Sequence, residues 1–311
     1  MTSLAGRVVA VTGATGLIGR YLERELVARG ARALAVVRNP QRAPAAWREK
    51  ALAHGIDLRE ADLADTERLA RAFEGADAVL ANAGLISIGN ESRDALVRAN
   101  VIGTRNTFAA LAQAGVRRAV TTSSTTVYRR KARGAYREDD PLRDARDLTT
   151  PFGYYATSKA AAEREAWEAS RRFGIALSVA RPSGVYGAFD AHGVTAWFAR
   201  VMRPRLFTVF PTRLHVPCVY AGDLARAMVT MLEREVSVGR VYNLAGEPEI
   251  GFTELLAGYR EAGGHAPRVV LPVPVPLRYA FDTRRAKDDL GFQNRPPREG
   301  FAELLALERE G

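Results

Sequence analysis

The earliest clear pattern in the chain is a short apolar run, Val8-Val9-Ala10-Val11, that stops at Thr12-Gly13. A continuous apolar run bounded by glycine predicts a buried parallel strand over residues 7–12. Helical spacing of Leu22, Leu26 and Val27 follows, ending at Gly30. The same alternation then repeats. Strands are predicted at 33–37, 56–61, 76–81, 118–122 and 175–180. Helices are predicted at 65–73, at 92–114 with Gly115 closing it, and from about Thr150-Pro151 to Phe173-Gly174. Strands alternating with helices imply a parallel sheet covered on both faces. Beyond Arg181-Pro182 the rhythm breaks, and Trp197, Phe198, Met202, Phe207, Val209 and Phe210 scatter before Asp223 opens another helix. Residues 271–276 have proline at every second position, which rules out helix and allows at most an edge strand.

Composition changes this picture little. The chain has 311 residues, 47% hydrophobic and 26% charged, which describes a globule rather than a disordered or fibrous chain. With Cys218 as the one cysteine, no intrachain disulfide can form, and a reducing compartment is the natural setting. Met1 to Gly6 lacks the features of a secretion signal, and no apolar run approaches the roughly 20 residues that span a bilayer. The expectation is a cytoplasmic protein with no membrane partner. The net charge of +10 raises the question of nucleic acid. Most of the excess is arginine spread along the chain, and the densest cluster, around Arg129-Arg130-Lys131, is followed by Glu138-Asp139-Asp140. No nucleic-acid motif accompanies it, so a solvated loop is expected. No metal ligands are assigned.

Chemistry enters at three places. Gly13, Gly16 and Gly19 lie between the first strand and its helix, as a dinucleotide-binding turn requires: one glycine for the turn, one for pyrophosphate approach, one for helix–strand packing. Their spacing is one residue longer than the common G-x-G-x-x-G. The second strand ends in Arg38 where an acidic residue would select NAD; an arginine, helped by Arg42, suits a 2′-phosphate and favours NADP(H), with NAD(H) left open. Tyr155 and Lys159 are four apart and share one helix face, and the ammonium is expected to lower the phenol's pKa into a useful range.

Taken with Asn100-Val101-Ile102-Gly103-Thr104, Ser123-Ser124-Thr125-Thr126-Val127-Tyr128, Arg181-Pro182-Ser183-Gly184-Val185-Tyr186-Gly187, Asp223-Leu224-Ala225 and Tyr242-Asn243-Leu244, these residues resemble the extended short-chain dehydrogenases/reductases. Within that epimerase/dehydratase superfamily the pattern is most similar to the dihydroflavonol reductase and hydroxysteroid dehydrogenase branch. The resemblance runs from Val8 to about Leu304. It implies an α/β, Rossmann-type doubly wound parallel sheet with a smaller C-terminal substrate lobe. Residues 1–181 and 219–247 would form the dinucleotide domain, and 182–218 with 248–311 the lobe.

The resemblance also implies roles. Tyr155 would be the general acid, Lys159 would hold the nicotinamide ribose, Ser124 would bind the substrate oxygen, and Asn100 would support a proton relay. Thr15, Leu17 and Ile18 would join the glycines at the pyrophosphate, Asp62 and Leu63 would meet adenine, and Asn82, Ala83 and Gly84 the adenosine side. Ser123, Pro182, Ser183 and Val185 would complete the cofactor site. Thr125 and Thr126 stand where sugar dehydratases carry an acidic pair, and Val216 where epimerases carry a diphosphate-clamping arginine that Arg213 would have to replace. The expected activity is reduction of a ketone or aldehyde of a moderately apolar small molecule, or the reverse alcohol oxidation. The alternatives are a nucleotide-sugar epimerase or reductase, and a non-catalytic dinucleotide sensor. The chain is short between Pro276 and Asp282 relative to that branch, which implies a more open pocket or one closed by a partner. A homodimer is expected through the 92–114 and catalytic helices, whose alanines at 109–114 and 160–166 permit close approach.

Overall fold

The computed structural model describes residues 3–86, 91–148, 153–191, 193–247 and 250–310. The N-terminal half alternates strand and helix: β1 (Val8–Thr12), α1 (Leu17–Ala28), β2 (Arg32–Val37), α2 (Ala45–Ala53), β3 (Asp57–Glu60), α3 (Thr66–Phe73) and β4 (Ala78–Ala81). Then come α4 (Arg93–Leu96), a π-helical stretch (Val97–Ile102), α5 (Gly103–Gln113), β5 (Arg118–Thr122), α6 (Gly153–Phe173) and β6 (Ala176–Pro182). The remainder runs through β7 (Val185–Tyr186), α7 (Val194–Met202), β8 (Phe207–His215), β9 (Val219–Tyr220), α8 (Ala221–Glu233) and β10 (Val241–Leu244). It closes with α9 (Phe252–Glu261), β11 (Val269–Arg278), α10 (Arg284–Leu290) and α11 (Pro297–Glu310).

Among the described residues, the main sheet has seven strands in the order β3-β2-β1-β4-β5-β6-β10, all parallel, as the strand–helix alternation predicted. The order reverses between β1 and β4, which opens a crevice at their carboxyl ends, where such sheets bind ligands. Alternate residues feed opposite faces. Val9 and Val11 join a core with Leu22, Leu26 and Leu224, while Ala10 joins another with Phe73, Phe108 and Leu111.

One detail departs from the sequence expectation, one falls outside the described residues and one agrees with it. The helix predicted over 92–114 begins with Ser92 capping Ala95 N at 3.2 Å but is interrupted by one π-helical stretch centred on Asn100. No glycine or proline causes it. Instead, Asn100 turns its amide into the loop after β4, and Thr104 Oγ1 donates to the Asn100 carbonyl at 2.6 Å. The expected start of the catalytic helix at Thr150-Pro151 lies outside the described residues. The proline-rich stretch is a strand, β11, paired in parallel with β8 in a separate two-stranded ribbon. α8 returns to pack on α1 and β5, and α10 lies against β10 and α8.

Candidate active site

The site grows from the carboxyl ends of the central strands. Gly13 follows β1 with φ of +68°, and a Cβ there would stand 2.9 Å from Ala83 Cα, just past the end of β4. Gly19 is tighter still, because a Cβ would sit 2.2 Å from the Gly13 carbonyl oxygen. The loop can therefore close on itself only without side chains at these places. Thr12 Oγ1 accepts from Asn82 N and Ala83 N, both at 3.0 Å, locking the ends of β1 and β4 together. α1 begins at an exposed Gly16 with no side chain capping it, so its first amides are left for a ligand. A cradle shaped by missing Cβ atoms and open helix amides fits a dinucleotide pyrophosphate.

Flanking that cradle, Arg38 follows β2, exposed and with no carboxylate paired to it among the described residues. Asp62 follows β3 and folds its carboxylate onto Ala64 N at 2.9 Å, while the Leu63 carbonyl accepts from Asn106 Nδ2 at 2.8 Å. Asn82 Oδ1 accepts from Thr122 Oγ1 at 3.0 Å. Thr15 gives its carbonyl to Arg20 Nε at 3.1 Å, and the Arg20 guanidinium lies 4.6 Å from the Phe189 ring centre. Phe189 is the one non-glycine residue at positive φ (72°) among the described residues. On the far side, Ser183 Oγ donates to the Pro217 carbonyl, and Pro182 closes β6 ahead of Val185 in β7.

Ser124, Tyr155, Lys159 and Asn100 converge beside this cleft. Ser124 Oγ caps the turn after β5, accepting from Thr126 N at 3.2 Å and from Thr126 Oγ1 at 2.9 Å, and it is near enough to the Tyr155 hydroxyl to favour its ionisation. Lys159 Nζ donates to the Thr122 carbonyl at 2.6 Å. A Cβ on Gly84 would lie 3.0 Å from Asn100 Oδ1 and 3.8 Å from Lys159 Nζ, so the loop after β4 touches both. Asn100 Nδ2 donates to the Leu85 carbonyl and to Ser158 Oγ, each at 3.0 Å, and its Oδ1 accepts from Leu85 N at 2.8 Å.

The electrostatics correct one expectation. Lys159 does not set the Tyr155 pKa in this structure. The tyrosine ring is partly accessible, but loss of hydration around its hydroxyl pushes the phenol up to about 12, opposed by the Ser124 hydrogen bond. Burial likewise pushes the Lys159 ammonium down to about 8, with Glu163 acting in the opposite direction. Neither group is among the causes of the other's shift; desolvation is the largest cause for both. The phenol is therefore fully protonated at neutral pH and ready to donate rather than accept.

Sequence reasoning missed the layer beneath. Ser123 Oγ donates to Glu163 Oε2 at 2.6 Å, and the Arg181 guanidinium grips both oxygens of that carboxylate, at 3.0 and 2.5 Å. Arg181 also donates to Tyr128 OH and to the Glu138 carbonyl, both at 2.9 Å, and Tyr128 OH donates to Asn243 Oδ1 at 2.5 Å. Glu163 continues the four-residue spacing of Tyr155 and Lys159, which was the available signal. Among the described residues, no group of three or more His, Cys, Asp or Glu could hold a metal, and no helix is long and apolar enough to cross a membrane.

A doubly wound sheet, a glycine cradle at its switch point and a tyrosine–lysine pair on one helix face together define a nucleotide-dependent enzyme of the extended short-chain dehydrogenase/reductase class. The chain belongs to the NAD dependent epimerase/dehydratase family, whose model matches residues 9–245. It is 34% identical over 259 residues to cinnamoyl-CoA reductase 1 of Petunia hybrida, covering 77% of this chain and 73% of that one. It is 28% identical over 319 residues to a dTDP-4-dehydro-6-deoxy-D-allose reductase of Streptomyces, covering 96% and 95%. Among solved structures, MoeE5 in complex with UDP-glucose and NAD superposes with a TM-score of 0.77 at 26% identity, over 98% of this chain and 99% of that one. The protein is thus an NAD(P)-dependent oxidoreductase with reductases among its relatives.

Proposed function

We propose that the protein is an NADP(H)-dependent reductase of ketones or aldehydes on a moderately apolar small molecule, running as an alcohol dehydrogenase in reverse. The observation that carries this reading is geometric: on α6, Lys159 stands one helical turn after Tyr155 and is anchored to the Thr122 carbonyl at the end of β5, next to Ser124. When bound, the nicotinamide supplies hydride. Residues Gly13, Thr15, Gly16, Leu17, Ile18 and Gly19 would hold its pyrophosphate, Asp62, Leu63, Asn82, Ala83 and Gly84 would frame the adenosine side, and Pro182, Ser183 and Val185 would bound the nicotinamide end. Ser124 orients the carbonyl oxygen by hydrogen bonding. As negative charge develops on that oxygen, Tyr155 hands over its phenolic proton, a favourable transfer because an alkoxide is the stronger base. Lys159 would hold the nicotinamide ribose, and Asn100 holds the helix turn behind Ser158. Arg38, free of carboxylate partners among the described residues, supports a 2′-phosphate and hence NADP(H).

Two alternatives have weaker support. A nucleotide-sugar reductase or epimerase is favoured by the dTDP-sugar reductase and MoeE5 likenesses. Against it, Val216 is apolar and packs against the core where such enzymes place an arginine, and Thr126 gives its hydroxyl to Ser124 where a dehydratase carries an acid. Stabilisation of the protein by nucleotide sugars and not by apolar ketones would reverse the order. A non-catalytic sensor has no reason to retain both Tyr155 and Lys159. The functional unit is proposed to be a homodimer through α5 and α6.

Tyr155→Phe tests the reading directly. Turnover of a carbonyl substrate with NADPH should fall by roughly 10²–10⁴-fold while NADPH binding, followed by its fluorescence, stays at the wild-type level. Full activity in that variant would remove the tyrosine from the chemistry.

A further inference from the structure

Away from the catalytic cleft, β8 of the β8–β11 ribbon turns one face to the core and the other to water, and β11 is exposed throughout Leu271 to Pro274. Thr208 and Phe210 are buried, whereas Phe207 and Val209 on β8 and Val269, Leu271 and Val273 on β11 are exposed. The parallel register sets Phe207 beside Val269 and Val209 beside Leu271, so these side chains form one continuous apolar strip. It is most prominent where the strands begin: Leu206 is 69% and Phe207 60% exposed. Single exposed apolar residues are ordinary, but a contiguous patch marks contact with another molecule or a lipid surface.

Charge and backbone chemistry select the occupant. Residues 200–215 and 265–278 contain six arginines and no aspartate or glutamate. Arg203, Arg205 and Arg268 are exposed around the prominent end, where Arg268 N donates to the Arg205 carbonyl at 3.3 Å. A second copy of the chain would set arginines against arginines. Addition of a peptide strand is disfavoured as well. Val269 N donates to the Leu206 carbonyl, so the amides of alternate residues face outward; of these, Pro272 and Pro274 in β11 and Pro211 in β8 have no N–H to give, so neither edge offers an unbroken ladder. An anionic bilayer needs neither an opposed pocket nor an open strand edge, only apolar side chains to enter the headgroup region and cations to meet its phosphates.

We propose that this ribbon docks the protein reversibly on an anionic lipid surface, with Leu206 and Phe207 entering the headgroup region and Arg203, Arg205 and Arg268 pairing with lipid phosphates. The attachment is peripheral and needs no spanning segment, so the lack of one in the sequence never bore on it. Nor does it depend on the chemistry of the active site.

Co-sedimentation of the full chain with vesicles of phosphatidylcholine, with and without phosphatidylglycerol, decides the matter. The wild type should pellet with the anionic vesicles, leave them as salt is raised, and stay in solution with pure phosphatidylcholine. Replacing Leu206→Ser together with Phe207→Ser should abolish pelleting. Replacing Arg203→Ser together with Arg205→Ser should weaken it about fivefold for each arginine removed. Both variants should unfold at the wild-type midpoint, since the altered side chains are exposed. A wild type that ignores anionic vesicles, or either variant pelleting like the wild type, overturns the proposal. So does a dimer that the Leu206/Phe207 variant converts to monomer without any vesicle binding, which would give the strip to a second copy of the chain.

Discussion

Glu163 governs the charge on which the proposed chemistry leans. Its carboxylate stands one helical turn beyond Lys159, accepts from Ser123 and is gripped by Arg181, so it raises the ammonium's pKa against the burial that pushes it to about 8. Removing that charge with Glu163→Gln should lower the Lys159 pKa further. The chain has only four lysines, Lys50, Lys131, Lys159 and Lys287, so the titration can be followed residue by residue from isotope-labelled lysine side chains. The variant should also lose stability, since it leaves Arg181 buried without its counter-charge, a cost of about 3–5 kcal/mol. A Lys159 titration unmoved in the folded variant would reduce Glu163 to a purely structural part. Tyr155 and Lys159 were legible because helix geometry converts a spacing of four into one face. Glu163 shares that spacing but reads in sequence as a solvated helical acid. Its partners, Ser123 and Arg181, are 40 and 18 residues away, and only the sheet brings them together.

At the scale of elements, the glycine loop separates packing from ligand approach. A methyl group on Gly19 would overlap the Gly13 carbonyl oxygen, 2.2 Å away, whereas one on Gly16 has only that same oxygen within reach, at 3.3 Å. Gly19→Ala should therefore cost both stability, by about 1–3 kcal/mol, and NADP(H) affinity, because α1 must move off β1. Gly16→Ala should weaken NADP(H) binding and leave unfolding nearly unchanged, since its φ of −78° suits any residue. Denaturant unfolding beside cofactor titration would check both; equal stability losses in the two variants would contradict this division of labour. The strand–glycine–helix order was readable because each element shows its own period over a few residues. The π-helical stretch at Asn100 was not. It follows from a side-chain amide bonding a loop 15 residues earlier, and nothing in the local pattern records that. The proline-rich strand was half readable: alternate prolines excluded helix, but pairing with β8 depended on a partner some 60 residues away.

For the whole molecule, the lobes suggested by the broken rhythm after Arg181 share one core. Phe198, Phe210 and Phe301 belong to the same buried cluster as Val11, Leu22 and Leu224. Sequence periodicity reports only which side of an element is apolar, so it could not show that this face of the sheet and the lobe close on each other. Within that layer sits a group that makes the stability of the fold depend on pH. Glu23 of α1 is buried and accepts from Trp47 Nε1 of α2 at 2.9 Å, while its Oε1 has no partner among the described residues. Burial raises its pKa from 4.5 to about 7. A raised value means the folded state binds the proton more tightly, so the associated stability is complete below pH 4.5 and is lost as pH rises through about 7. The full swing is at most about 3 kcal/mol. Glu23→Gln keeps an acceptor for Trp47 and carries no charge at any pH. Unfolding free energy measured across this window should fall for the wild type, while that contribution disappears in the variant, leaving it the more stable protein on the alkaline side relative to its acid value. If the two proteins followed parallel curves, Glu23 would have to be ionised in the folded state throughout this window, which its burial between α1 and α2 opposes.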